Sequence, residues 1–285
     1  MRLRHSFSLI YLLAALGAAH AQMATTGWQP SKNVELIAPA AAGSGMDSIA
    51  RLFQRVVQDK KLSRANLSII NKAGGGNSVG FAYLAAHAGD PHYLIATPFT
   101  VITNKITGTN ALSYQDFTPI ANFANGPGYV FVAHPSVPAS TLKELVALAK
   151  AKPGMLNAGS SGVGTPNHLG MELMNALTGT KYLHVPYKGG GPALLDLMSG
   201  RVDALFGAVN YVSPAVQNGK ARVIATGHPT RVREYPDAPA LAEMYPGFTN
   251  TTWYGIAGPA GVPYAVLLMV LVFGASHVVL SRTVL

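Results

Sequence analysis

A glycine- and hydroxyl-rich segment has the composition of an anion-binding loop. It follows a short apolar strand signal at 156–158, and Pro166 begins an amphipathic helix directly after it. Such a loop directs backbone N–H groups and hydroxyls at one point, with the positive end of the helix dipole behind them. No Lys or Arg lies between residues 157 and 177, so the segment predicts an anion held by dipoles and not by an ion pair. The candidate binding residues are Ser160, Ser161, Gly164, Thr165 and, in the first turn of the helix, His168.

A second loop of similar character lies nearer the N-terminus. It runs from Pro39 to Gly45, between an apolar strand signal at 34–38 and a helix. Ser44 and Asp47 have the S-x-x-D spacing that caps a helix start. The pattern predicts one apolar helix face, formed by Ile49, Leu52, Phe53 and Val56. Ligands of open α/β sheets bind beyond the carboxyl ends of the strands, which is where both loops fall.

Catalytic motifs are incomplete in this sequence. A serine-hydrolase elbow needs G-x-S-x-G, but the run Gly159–Val163 lacks the last glycine. Neither a complete dinucleotide fingerprint nor a complete P-loop is present, and no histidine–carboxylate set has metal-ligand spacing. The sequence therefore predicts a protein that is not an enzyme and has neither a metal nor a cofactor. A hydrolase using Ser160 or Ser161 with His168 is the catalytic alternative.

Strand and helix signals alternate along most of the chain, which favours parallel α/β sheets. Ser78 is expected to cap a helix at 79–87, Thr141 and Glu144 to cap another at 141–150, and 202–206 to form a strand. Two units, each with an anion-facing loop after an early strand, indicate two domains that close on a cleft. The segments 117–133 and 248–258 lack helix periodicity and are expected to cross between the domains.

The first residues have the features of an exported protein. Arg2 and Arg4 precede an apolar run and an A-x-A site, so residues 1–21 are predicted to be a signal peptide. The 285-residue chain has no cysteine, which excludes disulfides and thiol chemistry. Its formal charge of +9 falls to +7 when Arg2 and Arg4 are removed. No Lys/Arg cluster with interleaved aromatic residues is present, so nucleic acid is not an expected partner.

An ordered series of motifs resembles one family. The motifs are PAAAGSGMDSIAR (39–51), INKAGGGNSVG (70–80), FTPIANF (117–123), LNAGSSGVGTPNHL (156–169), HVPYKGGGPALLDLMSGRVDALF (184–206), REYPDAPALAEMYPGF (233–248) and WYGIAGPAGVP (253–263). Together they resemble the Bug receptors, the extracytoplasmic solute-binding proteins of tripartite tricarboxylate transporters.

The resemblance implies a periplasmic binding protein-like α/β fold of type II, with two Rossmann-like domains around a ligand cleft. The implied domains are 22–122 plus 251–263, and 123–250. The implied partners of this monomer are a small organic carboxylate and the membrane permease subunits of the transporter. Carried over by position, the first binding loop contributes Ala40, Gly43, Ser44 and Asp47, and the second contributes Ser160, Ser161, Gly164, Thr165 and His168.

Three departures from the family pattern carry expectations. Ala40 stands where an aromatic residue is usual and Met46 where Thr is usual, which predicts a wider and less polar pocket. Gly207 replaces a common acid, so an amine-bearing ligand would lose a counter-charge. Residues 264–285 form an atypical apolar tail, expected to leave the C-terminal part of the fold incomplete. A membrane anchor is the alternative for this tail.

The sequence leaves one functional choice open. A periplasmic receptor that delivers a carboxylate to a permease and a periplasmic sensor that presents its closed form to a sensor kinase would use the same two-domain clamp.

Overall fold

The computed structural model describes residues 30–61, 63, 66–125 and 128–263. The predicted signal peptide, 1–21, and the predicted apolar tail, 264–285, lie outside the described residues. Within those ranges, no helix has both the length and the apolar composition needed to cross a bilayer.

The described residues form two five-stranded sheets with helices packed against them. The strands are β1 (Val34–Ala38), β2 (Leu67–Asn71), β3 (Tyr93–Pro98), β4 (Phe117–Asn125), β5 (Tyr129–Ala133), β6 (Asn157–Ser160), β7 (Leu183–Pro186), β8 (Ala204–Ala208), β9 (Arg222–Thr226) and β10 (Trp253–Pro259). The helices are α1 (Gly45–Asp59), α2 (Ser78–Ala85), α3 (Thr100–Ile106), α4 (Leu142–Ala151), α5 (Pro166–Thr178), α6 (Gly190–Met198), α7 (Val209–Gln217) and α8 (Leu241–Met244). Short 3₁₀ turns occur at Gly75–Asn77 and Tyr114–Asp116.

The two sheets have corresponding strand orders, β2-β1-β3-β10-β4 in the first and β7-β6-β8-β5-β9 in the second. The first sheet and its helices are domain 1, and the second sheet and its helices are domain 2. Strands β1 and β6 occupy equivalent positions, and each continues through a loop into a helix, α1 or α5. The two predicted binding loops are therefore equivalent parts of the two domains.

The predicted parallel pairing is found for β1 with β2 and β3 and for β6 with β7 and β8, but the strands that cross between domains are antiparallel. Strand β10 pairs antiparallel with β3 and β4, and β5 pairs antiparallel with β8 and β9. Parallel neighbours need a crossover connection. Strands β5 and β10 instead enter their sheets directly from the other domain. The chain leaves the first sheet after Asn125, joins the second at Tyr129, and returns at Trp253.

Each sheet is buried on both faces. Along β1, Leu36 belongs to one apolar cluster of domain 1 while its neighbour Ile37 belongs to another. Domain 2 centres on the stacked rings of Phe131 and Phe206, whose centroids are 4.6 Å apart, with Phe248 beside them. Burying one such side chain contributes about 1.5–3 kcal/mol. This packing holds the strand ends, and hence the loops, in fixed positions.

Local capping signals were mostly reliable, with some corrections. Ser44 Oγ accepts from Asp47 N at 3.3 Å, and Thr141 and Glu144 form the predicted capping box of α4. Ser78 does not cap α2, because it is the first helical residue and Asn77 precedes the helix. The strand predicted at 202–206 runs from Ala204 to Ala208.

The predicted apolar face of α1 is displaced. The buried positions include Met46, Ala50 and Val57, whereas Leu52 is exposed. Ile49 and Phe53 pack at the edge of the core, as partly buried residues. The helix has turned its first-turn residues, and not Leu52, toward the interior.

Candidate functional site

A small cavity, about 30 Å³ in volume, lies where the loops of the two domains meet. Domain 1 contributes the first turn of α1, and domain 2 contributes the first turn of α5. The start of α6 and the end of β8, directly before α7, complete the wall on the domain 2 side. The bordering residues are Ala40, Ser44, Gly45, Met46, Asn77, Pro98, Tyr129, Ser161, Thr165, Pro166, Asn167, Gly190, Ala208, Tyr211, Thr252 and Tyr254.

Cap or first-turn residues of four helices, α1, α5, α6 and α7, therefore border one cavity. Each helix N-terminus carries roughly half a positive charge together with unpaired N–H donors. None of the residues that border the cavity is Asp, Glu, Lys, Arg or His. The cavity consequently offers a positive potential that comes from backbone dipoles, which suits an anion.

Asp47 braces the first loop and does not border the cavity. Its carboxylate accepts from Gly43 N at 3.0 Å, Arg51 Nε at 2.9 Å and Asn71 Nδ2 at 2.9 Å. Burial raises the pKa of Asp47, but the hydrogen bonds from Arg51, Asn71 and Gly43 outweigh this effect and leave the pKa below its usual value. Asp47 is therefore ionised, and it fixes the turn that presents Ser44 to the cavity.

Two hydroxyls on the cavity wall are oriented by their own loops. Ser44 Oγ accepts from Asp47 N, and Ser161 Oγ accepts from Asn167 Nδ2 at 2.8 Å. A hydroxyl that accepts from its loop keeps its proton free to donate elsewhere. Neither of these hydrogen bonds uses the hydroxyl proton of Ser44 or Ser161.

Thr165 occupies the N-cap position of α5, but its hydroxyl does not cap the helix. Thr165 Oγ1 lies 2.6 Å from both Gly162 O and Asn167 Oδ1, and it donates to this pair. The hydroxyl proton is thus committed within the loop. Thr165 borders the cavity and also holds the amide of Asn167, which in turn orients Ser161.

Ser160, Gly164 and His168 lie behind the second loop, outside the set of residues that border the cavity. Ser160 is fully buried, accepts from Gly162 N at 3.1 Å, and lies 2.6 Å from His184 Nε2. Gly164 N donates to His168 Nδ1 at 3.2 Å. The histidine that contacts Ser160 is therefore His184, and not the His168 considered for a hydrolase.

The two histidine rings stack with their centroids 4.0 Å apart. Burial lowers the pKa of His168, and burial together with the adjacent His168 lowers the pKa of His184 to about 4. Both rings are neutral at neutral pH. The neutral rings of His168 and His184 contact Gly164 and Ser160 of the second loop and add no positive charge to it.

Three tyrosines on the cavity wall were missed by the sequence analysis, namely Tyr129, Tyr211 and Tyr254. Their strands and helix give ordinary core patterns, so nothing local marks them. Tyr129 and Tyr254 do fall in the segments predicted to cross between domains, and that position was the available signal. Their hydroxyls interact with each other and with Thr252.

The two domains also make direct contact around the cavity. Ala41 N donates to Lys188 O at 3.2 Å, and Thr103 Oγ1 donates to Gly164 O at 2.8 Å. The cavity is about 30 Å³, far below the roughly 300–1,000 Å³ of most ligand sites. The wider and less polar pocket expected from Ala40 and Met46 stays a prediction, and three tyrosine rings border this space.

Across the ranges that the structure describes, no group of three or more His, Asp or Glu residues is arranged to hold a metal ion.

Comparisons with known proteins identify relatives over most of the chain. Residues 49–271 match the family described as the tripartite tricarboxylate transporter family receptor. BugT of Bordetella pertussis is 28% identical over 268 residues, which are 90% of this chain and 81% of BugT. The structure of MatC from Rhodopseudomonas palustris with bound malate is similar with a TM-score of 0.75 and 26% identity, covering 85% of this chain and 82% of MatC. A second R. palustris protein, solved with adipate, has a TM-score of 0.75 and 25% identity, covering 85% of this chain and 81% of that one.

Proposed function

Because the chain belongs to the tripartite tricarboxylate transporter receptor family, we propose that it is a periplasmic receptor that captures a small organic carboxylate for delivery to a permease. The observation that carries this proposal is one cavity that cap or first-turn residues of four helices border and that has no charged side chain on its wall. Similar proteins have been solved with malate or adipate, which are both dicarboxylates.

The ligand carboxylate is held by dipoles at the two equivalent loops. Ser44 and Ser161 donate their hydroxyl protons, and the free N–H groups at the starts of α1 and α5 add further donors. Hydrogen bonds with one charged partner contribute about 1.5–3 kcal/mol each. Ala40 forms part of the wall. The remaining predicted residues keep the loops in shape from behind, namely Gly43, Asp47, Ser160, Gly164 and His168.

The ligand enters when the domains separate and is enclosed when they meet. The space of about 30 Å³ holds no more than one or two water molecules, so a dicarboxylate requires the tyrosine rings and the loops to move apart. Residues 250–252, directly before β10, form part of the hinge. The proposed domains are those predicted from sequence, although β4 extends domain 1 to Asn125, past residue 122.

The family and its structural relatives are binding proteins. We assign no catalytic role to the Ser160–His184 pair. Ser160 is fully buried and its hydroxyl is engaged by Gly162 as well as by His184, so no substrate carbonyl could reach it in this form. Incubation with p-nitrophenyl esters should release no product above the rate of a Ser160→Ala variant. Product release that depends on Ser160 would require a hydrolase.

Thermal unfolding with a panel of acids tests the ligand class. The panel contains malate, succinate, adipate and citrate, with the corresponding neutral amides as controls. An acid present at about 100 times its Kd stabilises the folded protein by about 2.7 kcal/mol. At least one acid should raise Tm and its amide should not. A panel in which no acid raises Tm, or in which acids and amides act alike, contradicts the proposed function.

Delivery to a permease is tested separately. Permease subunits encoded beside this chain, reconstituted in vesicles, should take up the identified acid only when the receptor is added. Uptake that does not depend on the receptor, together with ligand-dependent binding to a sensor kinase, would instead support a sensor.

A further inference from the structure

Three glycines from different elements lie close to the side chain of Tyr211. A Cβ on Gly45 of α1 would lie 3.2 Å from Tyr211 Cδ1, and one on Gly190 of α6 would lie 2.8 Å from both Cζ and Oη. A Cβ on Gly207 of β8 would lie 3.2 Å from Oη. Any larger residue at 190 would collide with the phenol ring. Gly190 therefore makes room for the hydroxyl end of this side chain, whereas a Cβ on Gly207 would first meet Val212 Cγ1 at 2.2 Å.

The Tyr211 hydroxyl has no hydrogen-bond partner among the described residues, although Tyr211 is only 8% exposed. Leaving a buried polar group unpaired costs about 1–3 kcal/mol, and folded proteins rarely tolerate it without a reason. The hydroxyls of Tyr129 and Tyr254, on the same cavity wall, do interact with each other and with Thr252. Among the three cavity tyrosines, only Tyr211 has an unpaired hydroxyl.

The hydroxyl of Tyr211 can still donate its proton in a hydrogen bond. Burial raises the pKa of Tyr211 well above its ordinary value, and Asn167 offsets this only in part. The Tyr211 phenol is therefore protonated at neutral pH, and the residue borders the cavity. No acceptor among the described residues lies within hydrogen-bond distance of the Tyr211 hydroxyl, so its proton is unpaired.

We infer that Tyr211 donates its hydroxyl proton to an oxygen atom of the bound acid, and that this acid carries no amino group. The inference rests on the proposed function, and it adds a third donor beside Ser44 and Ser161. An acceptor oxygen, on a second carboxylate or on a hydroxyl group, satisfies the buried donor when the domains close. The cost of the unpaired hydroxyl is then removed by the ligand.

The exclusion of an amino group follows from the charges around the cavity. An ammonium group would lose its hydration shell and find no carboxylate on the wall. It would also face four helix N-termini, whose partial charges are positive. Malate and aspartate have the same carbon skeleton and differ only in this substituent, so they form a matched pair of ligands.

A matched control is available within the same chain. Tyr182 Oη is also buried and unpartnered, and Tyr182 is 5% exposed. Its ring lies in the core of domain 2, edge-on to Phe131 at 6.0 Å, and it does not border the cavity. Tyr182→Phe therefore removes the same kind of hydroxyl as Tyr211→Phe, but away from the ligand.

Calorimetric titrations of wild type, Tyr211→Phe and Tyr182→Phe with malate, succinate, adipate and aspartate test the inference. Tyr211→Phe should bind the preferred acid at least tenfold more weakly, about 1.4 kcal/mol, while Tyr182→Phe should bind it as wild type does. Without ligand, neither variant should have a lower Tm, because each loses an unpaired buried hydroxyl. Aspartate should bind wild type at least about tenfold more weakly than malate.

The outcomes separate this inference from the proposed function. If wild type binds no acid, the proposed function fails and this inference fails with it. If wild type binds an acid and Tyr211→Phe binds it equally well, only the donor role is overturned. If aspartate binds as tightly as malate, the exclusion of amines is overturned. Gly190→Ala is a second variant, which keeps the phenol of Tyr211 but displaces it. It should also weaken binding of the acid, and unchanged binding would contradict the placement of the hydroxyl.

Discussion

Replacing Gly76 by Ala tests whether the two domains must meet for the ligand to be held. Gly76 has φ 56° and ψ 42°, and a Cβ at this position would lie 2.3 Å from Val163 O, across the boundary between the domains. Real Cβ contacts are essentially never shorter than 3.0 Å. Because the obstructing atom belongs to the backbone, no change of rotamer relieves the contact. The loops at 76 and 163 would have to separate by roughly 0.7 Å, the difference between those two distances.

Gly108 provides the matched control for this substitution. Its φ is 70°, and a Cβ there would meet no atom within 4 Å. An alanine in the left-handed region costs about 1–2 kcal/mol, and both variants incur that cost in unfolding free energy. Only Gly76→Ala also obstructs closure, so it alone should weaken binding of the acid, by at least tenfold or about 1.4 kcal/mol.

The assay combines urea unfolding without ligand with calorimetric titration of the acid that stabilises wild type most. We expect similar losses of stability in the two variants and a loss of affinity only in Gly76→Ala. Equal affinities in Gly76→Ala and Gly108→Ala would refute the reasoning, because the bound form would then not need the contact between Gly76 and Val163.

Three further predictions concern the loops. Ser161→Ala should weaken acid binding about tenfold with little loss of stability, whereas Ser160→Ala should mainly lower Tm; calorimetry and thermal unfolding distinguish them. Asp47→Asn should lower the unfolding free energy by about 1–3 kcal/mol near neutral pH, and by less in acid. The folded-state pKa of Asp47 is lowered, so its stabilising effect is complete above the pKa of the unfolded state and is lost as the pH falls through the pKa of the folded state. The lowered pKa of His184, about 4 against 6.5, predicts that stability falls as pH drops from 6.5 toward 4, and His184→Gln should flatten that part of a plot of Tm against pH.

The parts of the site that sequence could predict are those fixed by local chemistry. The Ser44–Asp47 cap depends on residues three apart, and Pro166 at the start of α5 needs only its own ring geometry. The equivalent loops after β1 and β6 follow from strand–loop–helix order. Such features are independent of what packs against them.

The parts that sequence could not predict depend on contacts between distant elements. The Tyr211 hydroxyl is accommodated at the cavity because Gly190, from another element, has no side chain there. The partner of Ser160 is His184 on a neighbouring strand, 24 residues away, and not the closer His168. The antiparallel direction of β5 and β10 could not be predicted for the same reason, because both strands enter a sheet from the other domain.

We propose that helix dipoles and hydroxyls, without a cationic side chain, hold a carboxylate in the cavity between the domains. The test is a calorimetric comparison of malate with its neutral diamide, malamide, because the two differ chiefly in charge. If another acid of the panel binds more tightly than malate, that acid and its diamide are compared instead. Because the dipoles act on the charge, the acid should bind at least about a hundredfold more tightly than the diamide, about 2.7 kcal/mol. Equal affinity for the acid and the diamide would contradict it.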